Sequence, residues 1–353
     1  MKLPGVFAAL TAFLVYSGYP GGEAAAQCAV GSVQFENDLV GAGTDRHYTH
    51  GSRVSCISDV QTPLDTAHRL ASDLQFSLLG APVFDARGAV RYSFALGQSM
   101  FTPEDTARYG VVGDDRPYAG WLFGTASLVL GPRWQGSNRS AAFDSLETLE
   151  LTLGVVGPAS GVADTQKFVH STIGSPNPEG WHNQLRNEPG VILGYEHKWR
   201  SESWNLLPGS DWLQADVMPA AGFALGNIHT YGTVSATFRF GSNLANDFGP
   251  PRIRPSVAGS EYYDPRADET LGAYLFLSVG GRLVGRNIFL DGNTFVDSHH
   301  VDKEVLVGDL QFGVVFSLAG AARVALTHII RTREFEGQDA PDQFSALSLS
   351  FAF

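Results

Sequence analysis

The chain has 353 residues, a net charge of −12, 17% charged residues, 11% aromatics and 40 glycines. The acidic balance argues against nucleic acid as a partner, and the charge content lies well below the roughly 25% of an ordinary soluble domain. No run of about 18 apolar residues follows the N-terminal region, which excludes a transmembrane helix there.

In chain order, Met1-Lys2, the apolar run Val6 to Tyr16, and the small residues Gly21, Gly22 and Ala24 to Ala26 read as a secretory signal peptide over residues 1–26. The mature chain is then residues 27–353, a single domain. Export leaves Cys28 and Cys56, and an oxidising compartment permits a bridge between them. Spacing alone leaves a disulfide and two thiols equally open.

Period-2 alternation recurs along the mature chain. Segments near 30–38, 47–57, 89–99, 119–130, 147–156, 189–199, 212–225, 230–241, 271–283, 305–317, 321–332 and 343–353 each match the roughly 9–11 residues of a tilted membrane-crossing strand. In the last, Leu347, Leu349, Phe351 and Phe353 share one face, and Ala346, Ser348, Ser350 and Ala352 share the other. A soluble sandwich usually carries charge on its exposed face; a small hydroxylated face fits the lumen of a membrane barrel whose outside meets lipid. The terminal Phe resembles the C-terminal signature of bacterial outer-membrane proteins. In Thr233 to Phe240 the same logic turns Arg239 into the lumen.

These elements predict an all-β fold, a closed antiparallel transmembrane β-barrel of about twelve strands, since an open edge cannot sit in lipid. Leu64 to Leu79 reads as a short amphipathic rim helix, and Gly241 to Thr270, rich in Pro and Gly, as a long connection. If the mature N-terminus starts on the periplasmic side, the first, third and fifth connections open outward. They hold Asn37 to Thr49, Gln98 to Trp121, and Gly157 to Glu188, the three segments richest in chemistry.

Asn37-Asp38, Thr44-Asp45-Arg46-His-Tyr48-Thr49-His-Gly51, Gln98-x-x-Phe-Thr-Pro-x-Asp105, Asp115-Arg116-Pro-Tyr118-Ala-Gly-Trp121, Gly154-Val-Val-Gly-Pro158 with Gln166-x-x-x-His170, and Gly180-Trp-x-x-Gln184 together resemble the lipid A 3′-O-deacylase family, LpxR. The resemblance implies a twelve-stranded outer-membrane barrel that removes the 3′-linked acyloxyacyl chain from lipid A and requires calcium. It assigns the catalytic histidine to His170, the Asn-Asp pair to Asn37 and Asp38, and active-site threonine and glutamine to Thr49 and Gln166. Arg108 stands where the family has a catalytic lysine.

Chemically, ester hydrolysis needs a nucleophile and a stabiliser of the oxyanion. Gly157-Pro-Ala-Ser160-Gly161 has the wrong spacing for a nucleophile elbow, so a histidine base acting on water is simpler, and His170 is the candidate. Asp38 and Asn37 carry hard oxygens suited to calcium, a Lewis acid for the carbonyl; whether they ligate metal or orient His170 stays open. Arg108 suits electrostatic duty toward an oxyanion or phosphate, because guanidinium does not give up its proton. Thr49 and Gln166 offer hydrogen bonds to water or substrate. Asp115, Arg116 and Tyr118 read as a packed rim turn with an ion pair, and Asp297 to Asp302, with His299 and His300, as a solvated outer loop.

The expected partners are lipid A or lipopolysaccharide and outer-membrane lipids, for a monomer in the bacterial cell outer membrane. A non-catalytic channel or structural barrel and an outer-membrane phospholipase are the competing readings.

Overall fold

The computed structural model describes residues 28–38, 46–59, 77–78, 81–82, 90–131, 143–244, 246–253, 255, 260–264, 271–318 and 320–353. Twelve long strands form its wall: β1 (Cys28–Asn37), β2 (His47–Ser58), β3 (Val90–Thr102), β4 (Ala119–Leu130), β5 (Phe143–Val156), β6 (Glu188–Ser201), β7 (Ser210–Gly226), β8 (His229–Ser242), β9 (Gly272–Asn287), β10 (Leu306–Leu318), β11 (Ala322–Arg331) and β12 (Asp342–Ala352). Each pairs antiparallel with its neighbours in sequence, and β1 pairs with β12. Closure follows from the solvent: hydrocarbon offers no partner to an unpaired N–H or C=O, so no edge remains. All twelve expected strands are present.

Their ends run past the expected limits, β3 to Thr102, β5 from Phe143 and β9 to Asn287. With 10 to 17 residues, several strands exceed the roughly 9–11 needed to cross the hydrocarbon and reach beyond it. The signal peptide and residues 64–76 lie outside the described residues. Ser77–Leu78 pairs with Ala81–Pro82 as a two-stranded ribbon, so the predicted rim helix does not extend to Leu79.

Both chain ends share one rim, where the Phe353 N–H donates to the Ala29 carbonyl at 3.0 Å. Cys28 and Cys56 form a disulfide with Cα atoms 5.5 Å apart, which settles the pairing left open by spacing. Asp38, Arg46 and the connections 103–118, 157–187, 227–228, 288–305 and 332–341 gather at the far rim. The outward face of the wall is apolar, with Phe94, Leu151, Leu153, Leu277, Phe312 and Leu326 exposed.

The lumen is filled. The connection between β8 and β9 returns into the barrel rather than skirting its rim, a course that its Pro/Gly-rich sequence did not announce. Arg239 of β8, fully buried as expected, donates to Asp216 of β7 at 2.6 Å and to Asp247 of the connection at 2.6 Å. Arg323 of β11 donates to the same Asp247 at 2.6 Å, and the Tyr274 hydroxyl donates to it at 2.9 Å. Further along, Arg252 donates to Glu36 at 2.6 Å, and the Pro255 carbonyl accepts from Arg282 and Arg331 at 3.0 and 3.2 Å.

Ile253 of the same connection reaches the apolar cluster that closes the far half of the lumen, with Tyr48, Phe101, Trp121, Phe123, Phe289, Ile329 and Phe344. A Cβ at Gly51 would meet Ile253 at 2.8 Å, so glycine there lets the connection lie against the wall. Buried charges are costly unless paired and hydrogen-bonded, and here each wall arginine finds its carboxylate or carbonyl on a different element.

Asp247 ties β8, β9 and β11 to the lumenal connection, so its loss strips Arg239 and Arg323 of the carboxylate they share. Asp247→Ala should lower stability by about 3–5 kcal/mol, read as a lower urea midpoint for the barrel in lipid vesicles. Asp302→Ala, on an exposed far-rim loop, should stay within about 0.5 kcal/mol of the parent.

Candidate active site

Strand parity decides which side chains leave the barrel. On β1, Glu36, Gln34 and Ser32 are buried in the lumen while Phe35 is exposed on the wall, so Asn37, two residues on, also faces outward. On β3 the exposed Phe94 and Leu96 set the same parity for Gln98, Met100 and Thr102. On β2 a register shift between Tyr48 and His50 inserts Thr49 as an extra residue. Such a bulge re-aims side chains: Tyr48 stays in the lumenal cluster, and the Thr49 and Thr102 hydroxyls meet at 2.8 Å.

Asn37 and Asp38 are anchored to this bulge. The Asn37 Nδ2 donates to the Thr49 carbonyl at 2.9 Å, and the Asp38 Oδ2 accepts from the Arg46 backbone N–H at 2.6 Å. Asp38 and Thr49 are both buried. Thr44 and Asp45 lie outside the described residues.

The second half of the site is a helix standing outside the barrel. The connection 157–187 forms a 3-10 turn (Pro158–Ser160) and then α1 (Val162–Ile173), bounded by Gly161 at φ 69° and Gly174 at φ 75°. Left-handed backbone of this kind favours glycine at both ends. Val162, Gln166 and His170 recur every four residues, one helical face, and all three are buried. That face lies against the exterior of β3 and β4: Val162 packs with Met100, Tyr118 and Trp181, and Gln98 donates to the Ser160 carbonyl at 3.1 Å. Gly120 of β4 makes the approach possible, since a Cβ there would stand 2.6 Å from the Val162 Cβ.

The two polar residues of this face are held by their neighbours. Trp181 Nε1 donates to the Gln166 Oε1 at 2.6 Å, so the amide is oriented, and its Nε2 is buried with no hydrogen-bond partner among the described residues. The His170 Nδ1 lies 2.6 Å from the Pro176 carbonyl. A carbonyl can only accept, so Nδ1 carries the proton and the ring's lone pair is on Nε2. The family motif names Gln166 and His170 within an expected loop, whereas they share one face of α1; the lock from Trp181 comes from a motif residue given no role.

The fold therefore brings Asn37, Thr49, Gln166 and His170 to the outer surface of one wall, at one rim, across β1 to β4, with Asp38 buried at the same rim beside Asn37. Arg108 is different: it is exposed on the connection 103–118 and is not part of that buried set. Ser160 is buried and donates to the Gly157 carbonyl at 2.6 Å, in keeping with the rejection of a serine nucleophile there. For calcium, Asn37, Asp38 and the neighbouring carbonyls offer the right kind of donor, hard oxygen. Among the described residues no three acidic, His or Cys side chains converge to hold a metal, so such a site would rest on one carboxylate with neutral oxygens.

The connections behind the site are stapled by charges that sequence reading assigned differently. Arg116 does not pair with Asp115. Its guanidinium approaches Glu334 at 3.5 Å and stacks over Phe101 at 4.9 Å. Asp115 instead accepts from the backbone N–H groups of Glu104 and Arg116 at 2.7 and 2.6 Å and lies 3.5 Å from the His47 ring, which reaches Asp342 at 2.6 Å on its other side. Tyr118 packs on Trp181, ring centroids 5.0 Å apart, confirming a packed turn. His299 donates to the Asp115 carbonyl at 2.7 Å, a loop tie.

Fold and site together define a twelve-stranded outer-membrane β-barrel with a polar site on its lipid-facing wall. The family model described as outer membrane protein LpxR matches residues 6–353; the chain belongs to the LpxR family. Among solved structures it resembles LpxR from Salmonella typhimurium at a TM-score of 0.69 and 18% identity, over 92% of this chain and 100% of that one, a likeness of fold. The β domain of the Bordetella autotransporter Brka (TM-score 0.41, 10% identity, 92% and 99% covered) and the translocator domain of NalP from Neisseria meningitidis (0.35, 8%, 98% and 95%) are too distant to carry an argument. No curated protein matches the sequence.

Burial works to raise the Asp115 carboxyl, and the His47 ring with the two backbone N–H groups outweighs it, holding the group below the ordinary carboxylate range. A depressed acid stabilises above its unfolded value of about 3.9, and that share is lost as pH falls through the folded value. Protection of residues 103–118 against hydrogen exchange, corrected for the intrinsic pH dependence of the exchange rate, should thus fall below about pH 4. Asp115→Asn should show the lower protection near neutral pH, and its difference from the parent should narrow as pH falls through the folded value.

Proposed function

We propose that this outer-membrane, lipid A-modifying protein is a carboxylic ester hydrolase that removes the 3′-O-linked acyl chain of lipid A. The observation that carries the reading is the pairing of Gln166 and His170 on the buried face of a helix outside the barrel, opposite the wall that displays Asn37 and Thr49. An ester within a lipid leaflet reaches such a site from the side.

His170 acts as general base: with its Nδ1 proton held by the Pro176 carbonyl, Nε2 takes a proton from water as the water attacks the ester carbonyl. The same proton then goes to the departing sugar oxygen, leaving a free fatty acid and a hydroxyl. Gln166, fixed by Trp181, donates through Nε2 to the attacking water or to the developing oxyanion. Thr49 with Thr102 positions the polar linkage against the wall. Arg108, on the exposed connection, binds a lipid A phosphate as a permanent cation, a role that a lysine in its place could share. Calcium, held by Asp38 and Asn37, would supply Lewis-acid polarisation of the ester carbonyl when bound.

The apolar cluster that fills the far half of the lumen counts against the channel alternative. Cells expressing the parent should yield lipid A lighter by one acyl chain in mass spectrometry, and His170→Ala should lower the rate at least ~100-fold, the usual share of a general base. Gln166→Ala should cost about 10-fold to 100-fold, within the range of a single buried donor. Chelation of calcium should abolish release if Asp38 and Asn37 hold the ion. Unmodified lipid A from the parent would sink the assignment, and fatty acid release from pure phospholipid would transfer it to a phospholipase.

A further inference from the structure

The lipid-facing wall is apolar at the far rim over half of its circumference. The outward residues nearest that rim on β5 to β9 include Leu153, Val191, Leu225, Val234 and Leu283, all exposed. On β12, β1 and β2 the equivalent stretch is polar, and on β11 His328 lies one outward position below Ile330. His328 stands opposite Ser345, Ser345 opposite Asn37, and Asn37 opposite His50, and strand parity turns all four outward. The His328 Nδ1 and Ser345 Oγ lie 3.1 Å apart, and the His50 Nε2 and Ser52 Oγ 2.6 Å apart. Polar side chains on a lipid-facing surface are costly and mark function.

The row continues from His328 to Phe312, ring centroids 5.3 Å apart, and then to Leu277 and Phe238. Barrel strands tilt by about 35–45°, so a row that follows the register is inclined to the membrane plane. It starts at Asn37, the last residue of β1, and arrives at Phe238 well inside β8. Along it runs a groove of about 830 Å³, lined by Phe35, Asn37, Leu277, Phe312, Leu326 and Leu347. That volume falls in the range of small-molecule sites, roughly 300–1,000 Å³.

We infer that this groove seats an acyl chain of the lipid molecule whose ester is held at Asn37 and α1, and that His328 and Ser345 bind the polar linkage at the head of that chain. The inference rests on the acyl-ester reading above and adds a specificity site to it. Asn37 belongs to both the groove and the candidate active site, so one molecule spans them. Hydrogen-bonding groups at the top of an apolar groove suit the ester, amide or sugar group that heads a lipid chain, and Asn37 places that head beside the candidate active site. Together these points select the substrate's own chain as the occupant.

The test fills the groove. Leu326→Trp, or Leu277→Trp should the first variant fail to migrate as a folded barrel, is compared with Leu225→Trp on the opposite wall. In the His170→Ala background, purified lipid A should bind about tenfold more weakly to the groove variant and unchanged to the Leu225 variant. In the active protein, Leu326→Trp and His328→Ala should each raise KM about tenfold with kcat nearly unchanged. Equal binding by both tryptophan variants, with hydrolysis intact, would overturn the groove and spare the hydrolase. Selective loss of binding in a parent that releases no fatty acid would do the reverse.

Discussion

Every polar backbone group inside hydrocarbon must find its partner within the chain, and the rest of this structure depends on that constraint. It closes twelve strands into one cylinder, fixes their register, and thereby dictates which side chain of each pair points to lipid and which to the lumen. A single inserted residue then has large consequences. The bulge at Thr49 turns a hydroxyl outward next to Asn37 without opening the ladder, and the wall acquires a polar surface while its interior keeps an apolar seal.

The lumen shows the complementary solution. Arginines that would be intolerable facing lipid are turned inward, where Asp216, Asp309 and Glu36 from the wall and Asp247 from the connection between β8 and β9 meet them. Long-range ion pairs of this sort couple strands that are distant in sequence. The barrel is thus braced from within, and its outer surface is left free to carry a helix.

How much of this was legible in the sequence follows from the period of each signal. The wall strands were readable because strict alternation sustained over ten residues matches a strand and no helical period. The lumenal course of residues 246–253 and 260–264 was not, because a Pro/Gly-rich stretch has no period and its contacts, such as Asp247 with Arg323, lie far apart in the chain. Gln166, His170, Asn37, Asp38 and Thr49 were readable only through ordered family motifs; the helix that sets Gln166 and His170 on one face was not foreseen, because residues 157–187 were read as a loop. Parity did hold an unread signal: Ser345 continues the face of Leu347, Leu349 and Phe351, and His328 continues that of Leu326. Each interrupts an apolar face with a polar residue, the mark by which the groove's head could have been suspected. The His47 bridge between Asp115 and Asp342 joins the connection 103–118 to the starts of β2 and β12, and no local pattern encodes it.

The position of α1 on the exterior of β3 and β4 carries a final implication. On the hydrolase reading proposed above, an ester reached between α1 and the wall never has to be lifted into water, so the large hydrophobic penalty of extraction is absent from the reaction path. Encounter becomes a two-dimensional search, governed by areal density and lateral diffusion in the leaflet. Stiffening that leaflet would slow turnover with every side chain of the protein unchanged.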